Sequence, residues 1–120
     1  MFEEKTIEKE YQSFIKEAIT QLKNQNYKQA YQDIMQAIIL DPNSPEAQNL
    51  LGLWYEFKQD TSLARKHYRM AYVLDPVYKP ASVNLERVST LFPVKTIPAD
   101  YGDVVEESEL VTTRNLKIAK

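Results

Sequence analysis

The chain has 120 residues, 43% of them hydrophobic and 27% charged, with a net charge of -2; this fits one small globular domain and leaves no room for a large multidomain enzyme. That charge offers no field for a nucleic acid to follow, and the absence of cysteine rules out a disulfide framework, a thiol nucleophile and a thiolate metal site. The opening MFEEKTIEKEYQ has no basic stretch leading into an apolar run, and no segment approaches the roughly 18 apolar residues of a membrane span, so the expected location is the cytoplasm and a membrane is not an expected partner.

In chain order, Phe14, Ile15, Ala18, Ile19 and Leu22 recur at helical spacing and predict a first helix over 3–24. Asn26 is placed to cap a second helix over 27–40, whose apolar face is Ala30, Ile34, Ala37 and Ile38. Asp41-Pro42-Asn43-Ser44-Pro45 ends it. Ser44 can cap a third helix over 45–58, with Pro45 at its first position, where no N–H is needed. Asp60 is the expected cap of a fourth helix over 61–74, and after Asp75-Pro76 a fifth over 79–91 carries Ala81, Leu85, Val88 and Leu91 on one face. Five helices imply helical content of about 60% or more, against the usual third.

Displaced by 34 residues, the sequence lays Ala30 on Ala64, Ala37 on Ala71, and Leu40-Asp41-Pro42 on Leu74-Asp75-Pro76; Ala18 falls on Gly52. Such a period denotes one helix-pair unit used twice, whose stacked copies bury a core that neither can bury alone. Gly52 costs about 1 kcal/mol relative to alanine inside a helix, which predicts a close approach, here expected between Ala18 or Gly52 and Ala30 or Ala64.

The pattern Leu51-Gly52, Tyr55, Ala64, Tyr68, Ala71, Pro76, with the looser Ala18, Tyr27, Ala30, Ile34, Ala37, Pro42, resembles the tetratricopeptide repeat, over residues 11 to about 91. The resemblance implies an all-α solenoid of antiparallel helix pairs ended by a capping helix, whose inner surface binds peptides or partner helices. It implies no catalysis and no cofactor.

The residues agree with that absence of chemistry. The only histidine, His67, lies between Lys66 and Tyr68 and reads as structural, and two glycines cannot build a phosphate loop. Asp100, Asp103, Glu106, Glu107 and Glu109 lack a metal-ligand spacing and read as a solvated acidic stretch. Eight tyrosines lack the interleaved basic residues of a nucleic-acid stacking surface.

Within the third helix, Ala47 to Phe57 has only Gln48, Asn49 and Glu56 as strongly polar members, so more than one side must be covered. Ala47, Leu51 and Trp54 are assigned to the preceding repeat, Gly52 and Tyr55 to the fourth helix, and Leu50, Leu53 and Phe57 to the inner surface. The family resemblance adds Ile15, Ile19, Leu22, Val83 and Arg87 to that surface. The result is an apolar groove with one cation near its end, a site for a protein or peptide partner; the alternative is that these residues are simply core. One subgroup of the family grips chaperone tails through Lys, Asn and Arg side chains. This chain departs from it, with Ile15, Ile19, Leu50, Pro80 and Asn84 in those places, which disfavours that role.

Residues 92–120 break the helical pattern with Pro93 and Pro98 and read as an extended arm beyond a helical domain at 1–91. Val104, Val105, Leu110, Val111, Leu116 and Ile118 are its sticky points. The arm is expected to dock in its own groove, in a second copy or in another protein. The functions considered are therefore an adaptor that binds a polypeptide, a self-assembling scaffold that dimerises through groove or arm, and a peptide-sensing regulatory domain.

Overall fold

The computed structural model describes residues 2–89 and 97–103. Within them the chain is all-helical: α1 is Phe2–Lys23, α2 Tyr27–Leu40, α3 Pro45–Phe57, α4 Thr61–Leu74 and α5 Lys79–Ser89. Each bound lies within two residues of expectation, and 90 and 91, the expected end of α5, lie outside the described residues. Short connections fold neighbouring helices back on one another, and the most extensive packing joins α1 to α2 and α3 to α4. Among the described residues no helix is long and apolar enough to cross a membrane.

The sequence repeat is a repeat of backbone geometry. α2 and α4 begin and end 34 residues apart. The turns that precede them place Gln25 and Gln59 at φ 62° and 66°, the left-handed conformation that reverses a chain at a helix C-terminus. Asn26 N–H bonds Gln21 C=O, and Asp60 N–H bonds Tyr55 C=O, at the same offset. Both copies close with a cap N–H, from Asp41 or Asp75, on the carbonyl of Ala37 or Ala71.

The caps differ in one respect. Ser44 accepts from Ala47 N–H at 3.0 Å and Asp60 from Leu63 N–H at 3.1 Å, as expected of N-caps. Asn26 holds the cap position of α2 but makes no side-chain capping bond; its amide donates instead to Gln21 Oε1 at 2.7 Å. An asparagine can donate where an aspartate cannot, and the position equivalent to Gln21 in the second copy is Tyr55, so no such competitor draws Asp60 away.

The core runs continuously through both pairs, from Tyr11, Ala18 and Leu22 through Ile34 and Leu50 to Tyr68. Ala18, Ala30, Ala37, Ala64 and Ala71 have no exposed surface, which lets the helices within each pair approach closely. Gly52 meets a different neighbour from the expected Ala64. A Cβ there would lie 2.5 Å from Cδ1 and 3.0 Å from Cζ of Tyr68, whose ring is fully buried one turn further along α4. The Tyr68 hydroxyl reaches Glu56 Oε1 at 2.7 Å, and burial, then Glu56, drives its pKa upward.

Trp54 joins the two pairs. Its indole N–H donates to Tyr27 C=O at 2.8 Å, and its ring lies 4.9 Å from that of Tyr31 and 5.1 Å from that of Tyr55. This agrees with its assignment to the preceding repeat, although the side chain is only half-buried. Trp54→Ala is expected to cost about 3 kcal/mol, the lower end for removal of a large aromatic, measurable by urea unfolding.

Asp33 on α2 is buried, with Oδ1 bonded by Gln29 and Oδ2 without a partner. Desolvation raises its pKa above the ordinary carboxylate range. A raised folded-state pKa makes Asp33 favour the fold at acidic pH and weaken it as pH climbs through that value. Asp33→Asn should therefore raise the thermal midpoint at pH 7, and the gain should shrink as the pH is lowered through the carboxylate range.

Candidate functional site

One side of the helical stack is occupied by the chain's own residues 97–103, Ile-Pro-Ala-Asp-Tyr-Gly-Asp, in a non-helical conformation. Ala99 and Tyr101 of this segment pack against the buried cluster that contains Ile15, Ile19, Leu22, Leu50 and Leu53. The segment is the described part of the expected arm; 92–96 and 104–120, with Val104, Val105, Leu110, Val111, Leu116 and Ile118, lie outside the described residues.

Two asparagines hold its backbone. Asn84, on α5 and fully buried, accepts from Asp100 N–H at 2.8 Å and donates to Asp100 C=O at 2.7 Å, so one side-chain amide satisfies both main-chain groups of a single residue. Asn49, on α3 and equally buried, donates to the same carbonyl at 3.0 Å and accepts from Asn84 Nδ2 at 2.8 Å. Buried amides are costly unless satisfied, so these four bonds fix the register of the segment on the stack.

The side chains add selectivity. Tyr101 lies 6.4 Å from the Phe57 ring, centre to centre, and Lys23 Nζ stands 5.1 Å from the Tyr101 ring centre. The same ammonium bonds Asp103 at 2.6 Å. Gly102 has φ 79°, and its N–H bonds Asp100 Oδ1 at 3.0 Å to close a tight turn. A Cβ on Gly102 would fall on the Tyr78 hydroxyl and 3.3 Å from Tyr78 Cζ. Burial pushes Tyr78 and Tyr101 up in pKa, with Glu46 and Asp100 adding to the effect at Tyr78.

Of the residues assigned to the groove from sequence, Ile15, Ile19, Leu22, Leu50 and Leu53 are buried members of the main core. Phe57 is half-buried and touches the segment through Tyr101, while Val83 is half-buried on α5. Arg87, the expected groove cation, is engaged by Glu56 through both terminal nitrogens, one at 2.7 Å, and reaches Asn84 Oδ1 at 3.2 Å. Its charge is matched inside the stack by Glu56, whose hydrogen bond is the main cause of its raised pKa. The cation that meets the segment is Lys23.

Asn49, Asn84 and Lys23 are absent from the sequence-based set. A signal for the asparagines was present: the 34-residue offset carries Ile15 and Val83 onto Asn49, and Leu50 onto Asn84. The family resemblance supplied Ile15 and Val83 and apolar helical spacing supplied Leu50, and neither brought in the amides at the same repeat positions.

His67 has a structural setting. Its Nδ1 lies 2.9 Å from Gln48 Oε1, its ring stacks on Tyr55 at 5.2 Å, and burial followed by Lys66 lowers its pKa. A lowered folded-state pKa means that the neutral ring supports the fold above the ordinary histidine range and that this support is lost as pH falls through the folded value. Among the described residues no three His, Asp or Glu side chains converge as metal ligands. No family model, curated protein or solved structure matches the chain.

Proposed function

We propose that this chain is a non-catalytic interaction module of the tetratricopeptide-repeat type, an adaptor that holds an extended polypeptide segment on the inner face of its helical stack. The observation that carries this reading is the paired recognition of Asp100 N–H and C=O by Asn84, with Asn49 on the same carbonyl. Backbone-directed bonds of this kind hold an extended chain largely irrespective of its side chains, and pockets beside them supply preference. The matched turns and caps 34 residues apart support the family assignment. Cytoplasmic location belongs to the same proposal.

A selection from random heptapeptides tests it, using the full chain with Gly102→Val to expel residues 97–103. Enriched peptides should lose binding when Asn49→Ala is added, with the helical circular dichroism signal unchanged. Failure to enrich any peptide would remove the adaptor reading.

Self-association is a second reading, supported by a different surface. Ile39 and Val73, equivalent in the two copies, are 68% and 77% exposed, and Val77 is 81% exposed nearby in sequence. Repeated apolar positions on outer helices fit contact with another copy. Sedimentation at rising concentration should then show a dimer that Val73→Asp dissolves, whereas a monomer at every concentration removes this reading.

A further inference from the structure

The contacts made by residues 97–103 amount to a specification of what the groove selects. We propose that its external partner is an extended segment of the form small residue, Asp or Asn, aromatic, glycine, acidic residue, which residues 99–103 imitate and against which they compete. This rests on the reading of the groove as a polypeptide site.

Each position has a physical cause. Ala99 is partly buried against the main core cluster, a contact that suits a small apolar side chain. Asp100 is held through its main chain, and its carboxylate accepts from Gly102 N–H in the turn, a bond asparagine can equally accept. The ring of Tyr101 fits between Phe57 and the Lys23 ammonium, which selects an aromatic face. Gly102 is demanded twice, by its left-handed φ and by the Tyr78 hydroxyl where a Cβ would stand. Asp103 pairs with the same Lys23, so one lysine reads an aromatic residue and, two positions later, a carboxylate. Ile97 and Pro98 are exposed and carry no such demand.

The internal copy belongs to the same chain as the groove, and an intramolecular competitor acts at an effective concentration on the order of millimolar. An external segment of equal quality is therefore outcompeted in the native chain. Binding is expected where the partner is presented at high local concentration or makes contacts beyond these five positions.

The test uses a fluorescein-labelled Ile-Pro-Ala-Asp-Tyr-Gly-Asp peptide titrated with the full chain, followed by anisotropy. Gly102→Val should displace the internal copy, since a Cβ there meets the Tyr78 hydroxyl, and Tyr101→Ala is an independent second variant should the first fail to fold. The peptide should bind either variant several-fold more tightly than the native chain, up to the roughly tenfold by which each change weakens the internal copy. Peptides carrying Tyr101→Ala, Gly102→Val or Asp103→Lys should each lose about tenfold, and Lys23→Glu in the protein should restore binding of the Asp103→Lys peptide. Equal binding of all four peptides overturns the proposed preference and leaves the groove as a general polypeptide site. No binding of any peptide to either folded variant overturns the preference and the groove reading together. Equal binding to native and expelled chains shows that the peptide sits elsewhere and also overturns the proposal.

Discussion

Gly52→Ala should destabilise the protein by about 2 kcal/mol, although alanine is the better helix former by about 1 kcal/mol. The added methyl would stand 2.5 Å from Cδ1 of Tyr68, a ring with no exposed surface and a hydroxyl tied to Glu56, so the ring has nowhere to yield. The first helix pair shows the compensated alternative. Its equivalents of Gly52 and Tyr68 are Ala18 and Ile34, both fully buried: a smaller partner on one helix accompanies a larger one on the other. Tyr68→Ile should therefore recover much of the loss when combined with Gly52→Ala, giving a clear coupling in a double-mutant cycle measured by urea unfolding. Additive losses would show that the contact between α3 and α4 is not what requires glycine.

Leu53→Ala and Phe57→Ala should separate core from groove. Leu53 is 0% exposed and lies in the main cluster, so its truncation should cost about 3 kcal/mol through lost burial and the cavity left behind. Phe57 is half-buried between Tyr27 at 5.9 Å and Tyr101 at 6.4 Å, and its truncation should cost about 1 kcal/mol. Phe57→Ala should instead loosen residues 97–103, read as faster amide exchange at Asp100 and Tyr101 with the helices still protected. Equal losses of stability from both changes, with no effect on exchange in the segment, would place Phe57 in the core beside Leu53.

These two residues mark a limit of pattern reading. Leu50, Leu53 and Phe57 follow one helical stripe, and periodicity identified a face that must be covered. It could not divide that face between helices and segment. With five helices and seven segment residues closing on one another, Leu53 is enclosed while Phe57, at the end of α3, reaches the rim. Arg87 shows the same limit in electrostatic form: a cation on the inner face looks available in one dimension, yet Glu56 on α3 occupies it in three.

What the sequence determined by itself was local or periodic. Helix bounds followed from caps, prolines and apolar spacing, because those signals act within a few residues. The two-copy architecture followed from the 34-residue offset, because equivalent positions make equivalent turns, as the positive φ at both Gln25 and Gln59 illustrates. The tertiary structure alone decided which long-range partners meet. Asn49 and Asn84 stand 35 positions apart and Asp100 another 16 beyond, so no local pattern joins them. Their polar character reads as solvent-facing until packing removes the water, and only then do two buried amides become the groups that hold a chain in place.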